Sequence, residues 1–126
     1  MDAIKCDVLQ LTEKELAAAN EKFPLFNGKH EAYGVILEEF EEAQEEMQNL
    51  ECMVGDYWKG TKENHSQEET RKELEAIYNT AVNLAVEAIQ TAAMARKAIV
   101  SEESFFCTDR SQTQEGAAEY EETGKH

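Results

Sequence analysis

At 126 residues the chain has room for one domain, and 27 acidic against 12 basic side chains give it a formal net charge of −15. A field of that sign repels nucleic acid and anionic membrane, so neither is expected as a partner. No stretch approaches the roughly 20 apolar residues that span a bilayer, and Met1 to Lys14 lacks the apolar core and basic flank of a signal peptide, so a cytoplasmic location is expected. Cys6, Cys52 and Cys107 are odd in number, far apart and without C-x-x-C spacing. That argues against a disulfide framework or a zinc knuckle and for three reduced thiols.

In chain order, the first helical signal is Leu11-Thr12-Glu13-Lys14-Glu15. Thr12 and Glu15 have the spacing of a capping box and Leu11 is placed as a staple, which predicts a short helix ending before Pro24. Phe26-Asn27-Gly28 reads as a turn. From Lys29 onward Tyr33, Ile36, Leu37, Phe40, Met47, Leu50 and Val54 keep a three-and-four spacing, predicting one long helix to about Trp58. Gly60 to Gln67 reads as the hinge, with Ser66 or its neighbour as the next cap. A second long helix is predicted from about Glu68 to Val100, and the alanines between Ala81 and Ala98 suit close helix-to-helix approach. From Ser101 the sequence is polar, acidic and aperiodic, so residues 1–100 form the expected domain and 101–126 an acidic, disordered tail. Phe105-Phe106-Cys107 is its one apolar segment, placed to dock on the body or on a partner.

The fold class is therefore all-α. Two helices of about 30 residues are each on the order of 45 Å long, and a lone hairpin of that shape leaves much of its apolar stripe wet. Assembly with further copies into a four-helix-bundle dimer or tetramer is the expected remedy.

The sharpest chemical feature is an acid run. Between Lys29 and Lys59 stand nine acidic residues, Glu31, Glu38, Glu39, Glu41, Glu42, Glu45, Glu46, Glu51 and Asp56, with no lysine or arginine among them. Like charges three and four apart on a helix repel by a few tenths of a kcal/mol per pair, so a merely solvated face normally intersperses lysines. Glu38, Glu42 and Glu45 share a stripe with Glu39 and Glu46 beside it, so several carboxylates can converge on a hard cation such as Mg²⁺. The plainer alternative is an unusually acidic solvent face. On the second helix Asn79, Asn83, Glu87 and Gln90 fall within roughly 80° of arc amid apolar neighbours. A carboxylate such as Glu87 needs a partner or a metal there to stay ionised.

The stretch Ile36-Leu37-Glu38-Glu39-Phe40-Glu41-Glu42-Ala43 resembles the L-x-E-E-x-x-E motif of all-α nucleoside triphosphate pyrophosphohydrolases, the MazG-like and dimeric dUTPase group. Phe26 through Glu46, with Ala85 through Ala95, is similar to the small MazG-like proteins of phages and prophages of Gram-positive bacteria. The likeness covers roughly residues 20 to 100. It implies an α-helical dimer or tetramer in which Mg²⁺ is held by Glu39 and Glu42, with Glu38 beside them, and by acids of the later helix. The family usually shows E-x-x-D or E-x-x-x-D on that helix; here Asn83-Leu84-Ala85-Val86-Glu87 replaces the first acid by an amide and the Asp by Glu87.

On that reading the substrate is a nucleoside triphosphate, Glu38 takes the proton of the attacking water, Glu39, Glu42 and Glu87 hold the metal, and Asn83 faces the substrate. Lys59, Arg96 and Lys97 are the cations available to phosphate, and Trp58 the aromatic available to a base. Two other classes fit the same composition: a nucleotide-binding or interaction module with a weakened metal site, and an acidic mimic of nucleic acid.

Overall fold

The computed structural model describes the backbone of residues 2–112 and the side chains of residues 3–103. It is all-helical: α1 (Asp2–Lys22), α2 (Lys29–Lys62) and α3 (Gln67–Gln112), with no strand among the described residues. None of these helices is long and apolar enough to cross a membrane.

The turn between α2 and α3 is only four residues, 63–66, which forces the two long helices antiparallel. Its backbone closes α2 as a Schellman motif. The His65 N–H donates to the Gly60 carbonyl at 3.0 Å, the Asn64 N–H donates to the Thr61 carbonyl at 3.3 Å, and Asn64 takes the left-handed φ of 55° that asparagine tolerates. Ser66 then opens α3 as half of a capping box. The Glu69 N–H donates to Ser66 Oγ at 3.2 Å, and the Ser66 N–H to Glu69 Oε1 at 3.0 Å. These bonds hold the Glu69 carboxyl below its ordinary pKa. The expected hinge is thus present and narrower, because α2 carries on to Lys62.

His65 spans this turn, with Nδ1 3.1 Å from Glu73 Oε2 and Nε2 3.3 Å from Glu63 Oε1. The Glu73 carboxylate and the His65 ring lie so close over Gly60 that a Cβ there would push these two side chains aside.

From the turn, α2 and α3 pack along their length. The buried and half-buried positions of α2 include Ala32, Ile36, Glu39, Ala43, Glu46, Leu50, Met53, Tyr57 and Gly60, a series spaced by four and three, with Val35 and Leu37 half-buried beside it. Those of α3 include Glu73, Ile77, Thr80, Leu84, Glu87, Thr91, Met94, Ala98 and Ser101 in the same rhythm. Such alternation is the seam of a left-handed helical pair.

Two expectations are corrected. Thr12 does not cap a helix: α1 begins ten residues earlier, and Thr12 is buried in its middle with its hydroxyl donating to the Val8 carbonyl at 2.9 Å. A hydroxyl turned back onto the preceding turn satisfies itself inside a helix, so the Thr12/Glu15 spacing misleads. Nor does the second long helix end at Val100, because α3 runs on to Gln112. Ser101 is fully buried; its Oγ accepts the Phe26 N–H at 3.0 Å and donates to the Lys97 carbonyl at 2.8 Å. The expected tail from 113 onward, and the side chains of Phe105, Phe106 and Cys107, lie outside the described residues.

Around this clasp sits the apolar core. Leu16 of α1, Phe26 of the α1–α2 connection, Ala32 of α2 and Ala93 and Met94 of α3 are buried together, flanked by Ala19, Val35, Ile36 and Ala98. The large members contribute roughly 1.5–3 kcal/mol each by burial.

Two outcomes follow from these contacts. Ser101→Ala leaves the buried Phe26 N–H without an acceptor and should lower unfolding free energy by about 1–3 kcal/mol in a denaturant titration. At His65 partial desolvation pulls the imidazole pKa down, but the hydrogen bonds to Glu73 and Glu63 and the charges of Glu69 and Glu73 outweigh it and leave the value raised. The clamp's stabilisation is therefore complete below the ordinary imidazole range and is lost as pH rises through the raised value. Midpoints measured across neutral pH should fall more steeply for the native chain than for His65→Gln.

Candidate metal centre

The α2–α3 seam is interrupted halfway by acids. Glu39 and Glu46 occupy inward positions on α2 and Glu87 an inward position on α3, where an ordinary seam would carry Leu or Ile. Glu42, one turn beyond Glu39 and exposed, closes the group. Glu39, Glu42 and Glu87 each offer a carboxylate oxygen, and these atoms lie within 4.8 Å of one another. Residues 45 and 48 positions apart in sequence meet because the four-residue turn sets Glu42 level with Glu87.

Gln90 joins them from the next turn of α3. With its amide nitrogen turned toward the acids, it donates to Glu87 Oε2 at 3.1 Å and to Glu39 Oε2 at 3.3 Å. The Thr91 hydroxyl donates to the Glu87 carbonyl at 2.9 Å, fixing the backbone turn on which Glu87 stands.

The electrostatics follow from crowding. Desolvation raises the Glu39 pKa, and Glu42, Glu38 and Glu15 push it further. Desolvation likewise raises Glu87, followed by its hydrogen bond to Glu42 and the charges of Glu42, Glu39 and Glu46. Each of these causes favours the protonated form of the carboxyl group over its carboxylate. A divalent cation relieves the same repulsion. Oxygen-only donors of this spread match a hard cation, whose bonds of about 2.0–2.6 Å set donors on opposite sides at comparable separations.

The structure thus brings together Glu39, Glu42 and Glu87, with Glu38 exposed beside them. Asn83, one turn before Glu87, is exposed on the same side of α3. The expected cations and aromatic are not gathered there within one chain. Trp58 and Lys59 stand about 24 Å farther along α2, beyond any side-chain reach, and Trp58 instead lies under Lys62, whose Nζ is 5.4 Å from the ring centroid. Nine residues beyond Glu87, Arg96 points to the other side of α3. Lys97 is buried, with its ammonium 4.7 Å from the Phe26 ring centroid, where it serves the core. Gln90 and Glu46, which the sequence placed beside Glu87 and Glu42, take part as well, and so does Glu15, which it did not single out. The first two follow from i+3 and i+4 spacing to Glu87 and Glu42, whereas Glu15 depends on how α1 docks, for which the sequence carries no signal.

Comparison with protein-family models, with curated proteins and with solved structures finds no match.

Raised carboxyl pKa values mean that the folded state binds these protons more tightly than the unfolded one. The favourable contribution is complete below the ordinary carboxyl range and is lost as pH rises through the raised values. At pH 8 in chelator, Glu42→Gln should therefore raise the melting temperature, and Mg²⁺ should stabilise the native chain while shifting this variant far less. Equal shifts in scanning fluorimetry would show that these carboxylates hold no ion.

Proposed function

We propose that the protein is a Mg²⁺-dependent nucleoside triphosphate pyrophosphohydrolase of the MazG-like, all-α kind, working as an assembly of helical hairpins. The observation that supports this reading is the meeting of Glu39 and Glu42, from the L-x-E-E-x-x-E-like stretch, with Glu87 of the later helix.

The residues divide the work as follows. Glu39, Glu42 and Glu87 would hold Mg²⁺, which would supply positive charge against the phosphate oxygens and make a nearby water easier to deprotonate, and Gln90 orients two of these carboxylates. Glu38 accepts the proton as water oxygen bonds to the α-phosphorus and the bond from that phosphorus to the bridging oxygen breaks, releasing a nucleoside monophosphate and pyrophosphate. Asn83 is an amide facing the substrate.

A second reading has its own support. The charged neighbours that shift Glu39 and Glu87 are all carboxylates, and Asn83 stands where the family carries an acid. Such a site favours holding a metal-bound nucleotide over turning it over. An acidic mimic is less favoured, because Glu39, Glu46 and Glu87 turn into the seam rather than toward the outer surface.

Pyrophosphate release from a panel of nucleoside triphosphates with Mg²⁺ decides between these. The hydrolase reading expects turnover of at least one triphosphate and loss of about 10²-fold or more in Glu39→Gln and in Glu42→Gln, with the helical circular dichroism unchanged. No turnover, with saturable Mg²⁺-dependent nucleotide binding, would leave the binding module.

A further inference from the structure

The connection that leads into α2 carries a reactive pair. Asn27 is exposed and directly precedes Gly28, the N-cap residue of α2, which makes no side-chain cap bond. The segment is held at the backbone and loosely at the side chain. The Asn27 N–H donates to Glu31 Oε1 at 2.8 Å, whereas the Asn27 amide nitrogen reaches Glu31 Oε2 only at 3.5 Å, the outer limit of a hydrogen bond. Gly28 is extended, with φ −172° and ψ 175°, and nothing lies within 4 Å of where its Cβ would stand. Any residue adopts that conformation and would fit that space, so neither backbone angle nor packing calls for glycine here.

What glycine changes at this position is chemistry. Asparagine is a labile side chain because its carboxamide carbon lies within reach of the backbone nitrogen of the residue that follows. A side chain on that following residue crowds the approach, and glycine has none. The other asparagines are shielded by their hydrogen bonding. Asn20, Asn49, Asn79 and Asn83 stand inside helices, where the next N–H is bonded to the carbonyl four residues back. After Asn64 the His65 N–H is held by the Gly60 carbonyl at 3.0 Å.

We propose that Asn27-Gly28 is a self-modifying site of the folded chain, at which Asn27 deamidates through a cyclic imide. The Gly28 nitrogen bonds to Asn27 Cγ as the bond from Cγ to Nδ2 breaks, and Nδ2 leaves as ammonia with the proton that the Gly28 nitrogen gives up. Water then opens the ring at one of its two carbonyls. Attack at Cγ leaves an aspartate; attack at the main-chain carbonyl leaves isoaspartate, in which the backbone runs through Cβ and Cγ and is one carbon longer. Either product sets a carboxylate where an amide donor now faces Glu31. Isoaspartate also displaces the start of α2 from Phe26, whose N–H is held by Ser101 and whose ring lies in the core. The site therefore records the age of the chain at the joint between α1 and the hairpin. This inference rests neither on the metal nor on hydrolysis of a nucleotide.

The test incubates the full chain at mildly alkaline pH, folded and in parallel in urea, and follows each asparagine by peptide mapping and mass spectrometry. Isoaspartate is scored by enzymatic methylation of its carboxyl group. In the folded chain Asn27 should lose its amide ahead of every other asparagine, within a few-fold of its rate in urea and with isoaspartate among the products. Gly28→Ala, which fits the open space and should keep the helical circular dichroism, should slow that loss several-fold. Retention of the Asn27 amide in the folded chain while it is lost in urea, earlier loss at another asparagine, or an unchanged rate in Gly28→Ala would each overturn the proposal.

Discussion

Everything in this molecule is registered by the four-residue turn at 63–66. A Schellman motif stops one helix and a capping box starts the next with no slack between them, so one residue gained or lost there would rotate each helix by 100° relative to the other. The strict four-and-three alternation of the inward positions depends on that fixed phase, as does the level at which Glu42 meets Glu87. His65, strung between Glu63 and Glu73, and Gly60, which lets Glu73 approach, reinforce the same turn from its inner side.

Within this frame the acids are a local concession. A seam filled with Leu and Ile throughout would be the more stable pair, yet Glu39, Glu46 and Glu87 occupy its middle, where partial desolvation and mutual repulsion oppose ionisation. Gln90 holds the Glu39 and Glu87 carboxylates in place rather than letting them turn to water. Carboxylates so restrained have less freedom left to lose when an ion arrives, which is what pre-organised coordination requires.

Much of this was legible in the sequence, for identifiable reasons. The long helices show because their apolar spacing is regular, and the turn shows because Asn64, Ser66 and Glu69 are residues that caps demand. Glu42 and Glu87 belong to different helices, yet each stands out against its own surroundings, one in an acid run without lysine and the other in an alanine-rich stretch. What could not be read depends on tertiary contact. Ser101 looks like the first residue of a polar tail until Phe26 supplies a donor for its oxygen. Lys97 looks like a surface cation until the Phe26 ring is found beneath it. Thr12 mimics a cap because the capping pattern does not distinguish a hydroxyl that accepts from the next turn from one that donates to the preceding one. Trp58 and Lys59 were near the acids only in composition, since about 24 Å of rigid helix separates them.

The bond between Phe26 and Ser101 joins residues 75 positions apart, and it has a consequence for the order in which the chain folds. The hairpin closes through a four-residue turn and can zip from local contacts, whereas α1 finds its packing surface only where Ala93, Met94 and Ser101 come together. On a ribosome that surface emerges only after α1 and α2 are complete. Until then α1 carries Leu16 and Ala19 with nothing to dock against, so for most of its synthesis the nascent chain holds an unpartnered helix waiting for its own far end.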